Sequence, residues 1–135
     1  MPLKIRSALL CDLVRTEDTG KHILIGVYTG GVAFEALPAV FAGTAWVEFD
    51  SPVQDGEIKV EIRTEAPELE KPRLGSATLS IEQEGSVLVL VGIQPIAVSA
   101  PGQLRLFMRL KGERWTQVLA KNFELRAPPP GPEAL

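Results

Sequence analysis

The sequence predicts an all-β protein, an antiparallel β-sandwich of eight or nine strands with immunoglobulin-like or C2-like topology. Apolar and polar residues alternate along most of the 135 positions, which is the period of a strand with one buried face. Turn-forming residues recur about every 8 to 12 positions, and no window shows the helical period. A barrel is the alternative, because alternation alone does not decide whether a sheet closes on itself.

The first strand is predicted over residues 3–10, where leucine and isoleucine are interspersed with Lys4 and Arg6. A hairpin turn follows at Asp18 to Gly20. An aspartate at the start of a type I turn accepts backbone N–H bonds, and Gly20 can take the positive φ that ends such a turn. The first two strands are therefore expected to pair as a hairpin.

The second strand places Ile23, Ile25 and Val27 on one face. Gly26 lies on the opposite face in the middle of this strand. Because glycine weakens a strand, Gly26 predicts a bulge or the close approach of a large group, such as an aromatic ring.

A short strand is predicted at residues 32–34, followed by a connection. Residues 37–43 carry large apolar side chains without a strand period, which predicts a loop folded over one open end of the core. The next strand is predicted from Thr44 to Asp50, and its alternation places Trp46 on the polar face.

The clearest alternation runs from Glu57 to Thr64, and a polar loop is predicted over residues 66–75. Another strand follows at residues 77–81. The continuous apolar run at residues 87–91 predicts burial on both faces, or a central strand. Pro95 cannot donate to a ladder, so the segment around it is expected to be an edge or a bend between sheets.

The last hairpin is predicted around a turn at residues 111–113. Its first strand buries Leu104, Leu106 and Met108, and its second runs from Arg114 to Leu125. The domain is predicted to span residues 1–126. Residues 127–135 are proline-rich and are expected to form a disordered tail.

Composition favours one cytoplasmic domain. The 45% hydrophobic content suits a single core, and the net charge of -3, from 14 basic and 17 acidic residues, disfavours nucleic acid or a membrane as partner. The longest apolar run, Val87 to Ile93, is far below the ~20 residues of a membrane helix. The four uncharged residues between Arg6 and Cys11 are too few for an export signal.

The single cysteine, Cys11, and the single histidine, His22, limit the chemistry that we expect. One cysteine cannot form an intramolecular disulfide, which fits a reducing compartment. Zinc needs three or four soft ligands, so no metal or cofactor is expected. A nucleophilic Cys11–His22 pair would make the protein a cysteine-dependent enzyme, because a thiolate needs a base or a cation to lower its pKa.

Calcium or small-ligand binding is a further alternative. Asp50 and Asp55 lie in one loop region, and Asp12 or Asp18 would join them from another, as in C2-like domains. Calcium takes six to eight oxygen ligands, and the sequence holds no dense Asp-x-Asp loop. The spacing of these carboxylates therefore does not single out a calcium site.

A charged cluster surrounds the first hairpin, and two interpretations are open. In the structural interpretation, Asp12 pairs with Arg15 or caps a turn. Most such surface ion pairs are solvated and contribute little to stability. In the functional one, the cluster recognises a partner, with an aromatic side chain as the rigid apolar anchor that interfaces favour. The candidate partner-binding residues are Asp12, Arg15, Glu17, Lys21, Tyr28 and Trp46.

Two motifs carry a family resemblance. The run CDLVRTEDTGKHILIGVY, from Cys11 to Tyr28, resembles the opening CDxVRxExxGKxxLIGVY of an uncharacterised family of small bacterial and phage proteins. A second similarity, GxLRLxxRxxGxxW, covers Gly102 to Trp115. The resemblance implies a β fold and a bacterial or phage setting, and it implies no activity, ligand or site residue.

The sequence thus predicts a non-enzymatic protein-interaction or accessory module in the bacterial cytoplasm or in a phage particle. We expect a protein partner or self-association, through the hairpin loop and an exposed sheet edge. No catalytic residue is expected. The alternatives are a small-ligand or calcium-binding β-sandwich and a cysteine-dependent enzyme.

Overall fold

The alternating patterns fold into nine strands in the computed structural model, which describes residues 3–126. In chain order the strands are β1 (Ile5–Thr16), β2 (His22–Val27), β3 (Val32–Phe34), β4 (Ala39–Asp50), β5 (Gly56–Glu65), β6 (Arg73–Ile81), β7 (Ser86–Val98), β8 (Gly102–Leu110) and β9 (Thr116–Leu125). The predictions of an all-β sandwich and of eight or nine strands are confirmed.

The strands form two sheets. The four-stranded sheet has the order β2-β1-β4-β7, and the five-stranded sheet has the order β3-β9-β8-β5-β6. One pairing corrects the antiparallel prediction, since β3 runs parallel to β9, with Val32 opposite Phe123. The chain crosses from the first sheet to the second after β2. Strands β3 and β9 are not joined by a tight turn, so the antiparallel direction that a hairpin requires does not apply to this pair.

The core lies between the inner faces of the two sheets. Strand β8 buries Leu104, Leu106 and Met108, as the alternation predicted, and β5 buries Ile58 and Val60. Fully buried side chains, with 0% of their surface exposed, come from both sheets: Leu10, Val47, Phe49, Val60, Ile96, Leu104, Leu106 and Met108. One apolar core thus joins the two layers.

Residues 37–43 correct the predicted loop. Strand β4 already begins at Ala39, and its Phe41 is buried in the core. The register between β4 and β7 shifts between Phe41 and Gly43. Such an irregularity interrupts the two-residue period, which explains why alternation did not reveal this part of the strand.

Strand β7 is also placed differently from the prediction. Its apolar run predicted a central strand, but β7 is the edge of the four-stranded sheet, and Leu90 is 42% exposed. The expectation that Pro95 lies in an edge segment is confirmed. The polar loop predicted up to residue 75 is shorter, because β6 starts at Arg73.

An aromatic cluster joins β3 and β4 to β9 at one end of the sandwich. The ring of Phe123 lies 5.6 Å from that of Phe41 and 6.0 Å from that of Phe34. Tyr28 packs edge-on against Phe41, with ring centroids 5.8 Å apart. These tilted and edge-on geometries are the favourable ones for aromatic pairs. The cluster therefore ties the parallel strand β3 to the core.

The outer face of the five-stranded sheet carries stacked cations and rings. The Arg63 guanidinium lies 4.3 Å from the centre of the Phe107 ring and 4.9 Å from that of Trp115. Arg109 lies 4.2 Å from the Trp115 ring and donates from Nε to Glu61 at 3.2 Å. Both arginine side chains of this face thus lie against aromatic rings.

Residues 127–135, the predicted proline-rich tail, lie outside the described residues, as do residues 1 and 2. The domain boundary at residue 126 stays a prediction. Among the described residues, no helix has the length and apolar character needed to cross a membrane.

Candidate functional site

The first hairpin brings Asp12 and Tyr28 together. Asp12 is on β1 and Tyr28 directly follows β2, and the Tyr28 N–H bonds to the Leu10 carbonyl at 2.8 Å. The Tyr28 hydroxyl donates to Asp12 Oδ1 at 2.6 Å. Burial first, and then the hydrogen bond to Asp12, raise the pKa of Tyr28 to about 12. Tyr28 is therefore a neutral hydrogen-bond donor throughout the physiological pH range.

Gly26 makes room for this hydrogen bond. Its φ is +72°, in the left-handed region, and a Cβ at this position would overlap the Asp12 carboxylate. The sequence predicted the close approach of something large, such as an aromatic ring. The close approach is confirmed, but the group is the carboxylate of Asp12.

The predicted Asp12–Arg15 ion pair is not formed between these described residues. Side chains three positions apart on a strand point to opposite faces, so the two charges face away from each other. The hairpin turn instead uses backbone bonds, from the Glu17 N–H to the Lys21 carbonyl at 2.8 Å and from the Gly20 N–H to the Glu17 carbonyl at 2.9 Å. Gly20 has the predicted positive φ, +87°.

Trp46 lies apart from the Asp12–Tyr28 pair. It is on the outer face of the four-stranded sheet, opposite Leu9 of β1 and Leu90 of β7. The six candidate residues therefore do not form one site. Asp12 and Tyr28 are on the inner side of the β1–β2 hairpin, and Arg15 and Trp46 are on the outer side.

The outer side of the four-stranded sheet is unusually apolar. Directly opposite residues on neighbouring strands share a face, so the register aligns apolar side chains of all four strands there. We call this surface the apolar face; it consists of Leu9, Leu13, Ile23, Ile25, Val27, Trp46, Leu88 and Leu90. Six of these residues, all except Trp46 and Leu88, are 38% to 44% exposed.

The sequence of β2 held an indication of the apolar face, in the form of apolar residues on both sides of the strand. Ile23, Ile25 and Val27 share a face, but Leu24 makes the other side of β2 apolar as well. A half-exposed strand normally alternates with polar residues. Apolarity on both sides of a strand at the sheet edge was therefore the available indication of a second, outward contact.

Two charges mark the ends of the apolar face. Arg15 lies at one end, opposite Ile23 of β2. Glu48 lies at the other end, opposite Ser7 of β1 and Leu88 of β7. The face thus has Arg15 at one end and Glu48, with Arg6 near it, at the other, and apolar side chains between them.

Cys11 lies beneath the apolar face and is 0% exposed. Its Sγ is 3.5 Å from the carbonyl oxygens of Leu13 and Thr44. Burial, and to a lesser degree the charge of Asp12, raise the pKa of the Cys11 thiol. This is the opposite of what activates a nucleophilic cysteine.

His22 is remote from Cys11. It sits at the turn end of the hairpin, with Nδ1 3.1 Å from the Thr16 hydroxyl oxygen. Cys11 pairs with Val27 farther along the same hairpin, and its side chain points to the other face. The thiol and the imidazole therefore do not meet, and the proposed nucleophilic pair is not assembled.

The burial of Cys11 makes a direct prediction. We expect the thiol of the folded protein to react with Ellman's reagent far more slowly than the thiol of the same protein unfolded in guanidinium chloride. The change in absorbance over time measures both rates. Equal rates in the two states would contradict the burial described above.

The carboxylates proposed for calcium are not brought together. Among residues 3–126, no group of three or more histidine, cysteine, aspartate and glutamate side chains is arranged to hold a metal ion. Asp50 is instead hydrogen-bonded to Arg6 and lies 3.7 Å from Lys4. The hydrogen bond to Arg6, above all, lowers the pKa of Asp50.

Comparison with known proteins identifies a family and no activity. The model of a family of unknown function, DUF6941, matches residues 6–120. No curated protein matches the chain. The functional interpretation therefore depends on the surfaces of the molecule itself.

Proposed function

The chain belongs to the DUF6941 family, whose function is unknown, and from its surfaces we propose that it is a non-enzymatic protein-interaction module. In this proposal the apolar face docks a second copy of the chain, so that two four-stranded sheets pack face to face. The observation that carries the proposal is the exposure of six large aliphatic side chains on one continuous sheet surface.

The extent of the apolar face supports a protein partner. Six side chains exposed by 38% to 44%, together with Trp46 and Leu88, present on the order of 500 Å² of apolar surface to water. Patches of this size on monomers are often functional. A stable interface buries about 800 Å² on each partner, with an apolar centre and a polar rim. The apolar face would supply that centre.

The charges at its two ends make the apolar face complementary to itself. Arg15 lies four residues from Cys11 in one direction along β1, and Glu48 pairs with Ser7, four residues away in the other. A twofold axis that runs across the strands at the level of Cys11 therefore exchanges these ends. It brings Arg15 of one copy near Glu48 of the other, and Leu13 over Leu9.

The position of the sole thiol supports the non-enzymatic part of the proposal. Cys11 is buried, has a raised pKa and does not contact His22. Its place under the apolar face suits packing, since an uncharged cysteine behaves as a small hydrophobic residue.

Charge reversal tests the proposed dimer. We expect Arg15→Glu and Glu48→Arg each to weaken dimerisation by about tenfold or more, because each creates like charges at the interface. The double variant restores opposite charges, so its association should return close to that of the wild type. Sedimentation equilibrium measures the dissociation constants, and circular dichroism checks the fold.

A matched control lies on the other sheet. Lys59 is exposed on the five-stranded sheet, and we expect Lys59→Glu to leave the dissociation constant unchanged. A wild-type chain that stays monomeric at high micromolar concentration would refute the dimer. A double variant that associates as weakly as the single variants would refute the twofold arrangement.

A further inference from the structure

Strand β7 has the sequence of a central strand but lies at an edge. From Ser86 to Ile93 it contains no charged residue and no proline, and apolar side chains point to both faces. Its one strand neighbour within the described chain is β4. Native edge strands are usually shielded by charges, prolines or bulges. Here Pro95 and the register shift at Gly43 come after Ile93, so residues 86–93 are left unshielded.

A cleft of about 560 Å³ runs beside this edge, between β7 and β6, the edge strand of the other sheet. Arg73 of β6 crosses the cleft at one end and donates to the carbonyls of Gln94 at 2.8 Å and Pro95 at 2.9 Å. At the other end, the turn between Ile81 and Ser86 joins the two strands. The cleft is therefore closed by Arg73 at one end, and the two strands converge on their connecting turn beyond the other.

The cleft has a mixed lining, with apolar side chains on its inward side and room for further side chains. Val91 lines it from β7. Ala77 of β6 pairs with the fully buried Val60, so Ala77 and Gly75, two residues away, both point inward. A Cβ added at Gly75 would meet no atom within 4 Å. The cleft thus has open space beside Gly75, which is exposed.

We infer that this cleft binds an extended peptide segment of a partner protein, which adds to β7 as a further strand of its sheet. The unpaired N–H and C=O groups of an edge strand are complementary to the main chain of such a segment. Apolar side chains at alternate positions of the peptide would enter the cleft between Val91 and Gly75. The site adjoins the apolar face, since Leu90 belongs to both, but the inference does not require the proposed dimer.

The main chain of β7 distinguishes this ligand from a small apolar molecule. Such a molecule would fill the cleft but would leave the edge N–H and C=O groups of Ser86 to Ile93 without partners. An extended strand satisfies both the apolar space and the polar edge. The best ligand is therefore a segment without proline and with uncharged, apolar residues at every second position.

Filling the cleft from inside tests the inference. Short linear peptides would be selected from a random display library on the wild-type chain, synthesised, and titrated by fluorescence anisotropy. We expect Gly75→Leu to weaken their binding by about tenfold or more, because the new side chain occupies the space that the peptide needs. Thr78→Leu is the matched control, since Thr78 pairs with Lys59, points to the outer face and does not line the cleft.

Modifying the peptide tests the strand pairing. N-methylation of every second peptide residue removes main-chain donors. Two such peptides can be made, methylated at the odd or at the even positions, and we expect one of the two to lose binding. Hydrogen exchange of the wild-type chain should slow at residues 86–93 when the unmodified peptide is bound, and this measurement does not depend on any variant folding.

Several results would overturn the inference. These are a library that yields no binding peptide, equal affinity of wild type and folded Gly75→Leu, tight binding by both N-methylated peptides, or unchanged exchange at residues 86–93. A monomeric wild-type chain that still binds the peptide would refute the proposed dimer and leave the cleft site intact.

Discussion

Replacing Phe123 with alanine is expected to lower the free energy of unfolding by about 3–5 kcal/mol, the usual cost of removing a buried aromatic ring. Phe123 is 2% exposed, and its ring packs against those of Phe34 and Phe41. It also pairs with Val32 in the parallel register of β3 and β9. The substitution therefore removes both core volume and the contact that holds β3. Urea unfolding, followed by circular dichroism, measures the change.

Two substitutions serve as controls for Phe123→Ala. Phe123→Leu keeps most of the apolar volume and should cost clearly less. Leu125→Ala changes the same strand at a side chain that is 56% exposed, and we expect it to be close to neutral. A loss below about 1 kcal/mol for Phe123→Ala would mean that the ring is not an essential part of the core.

Gly26→Ala is expected to destabilise the protein by about 2–3 kcal/mol. The left-handed backbone conformation, with φ of +72°, costs a residue with a Cβ roughly 1–2 kcal/mol. The new methyl group also displaces the Asp12 carboxylate, and the lost Tyr28–Asp12 hydrogen bond adds about 1 kcal/mol. Urea unfolding measures the total, with Gly92→Ala as the control, because Gly92 is in a strand and has open space for a Cβ.

The pH dependence of the same variant reports on the burial of Tyr28 and on its hydrogen bond to Asp12. In the wild type the pKa of Tyr28 is raised from 10.0 to about 12, so its contribution to stability is complete below pH 10 and is lost as the pH approaches 12. We expect Gly26→Ala to shift the titration of Tyr28 to lower pH, as followed by tyrosine absorbance. An unchanged titration, or a stability equal to that of Gly92→Ala, would contradict the role assigned to Gly26.

The sequence was sufficient where local periodicity decides the structure. The alternation of β5 and β8 identified their buried faces, and Gly20 adopts the positive φ that the turn chemistry predicted. The start of β4 was missed because a register shift near Gly43 interrupts the period. The edge position of β7 was missed because strand order depends on contacts that are distant in sequence.

The candidate site was predictable only in part, for a geometric reason. Asp12 and Tyr28 were both singled out, but their hydrogen bond depends on the pairing of two strands, and the clearance at Gly26 depends on the same pairing. Arg15 is three positions from Asp12 and therefore points away from it. Which side of the first sheet is covered is decided by the second sheet, so the two-sided apolarity of β2 could not show which of its faces stays exposed.

The pairing of β3 with β9 links folding to the order of synthesis. Val32 finds its partner in Phe123, about 90 residues later, and contacts between such distant positions are slow to form. A growing chain that stops before β9 leaves β3 unpaired and part of the core open to water. We therefore expect nascent chains of this protein to complete their core only after β9 has been synthesised.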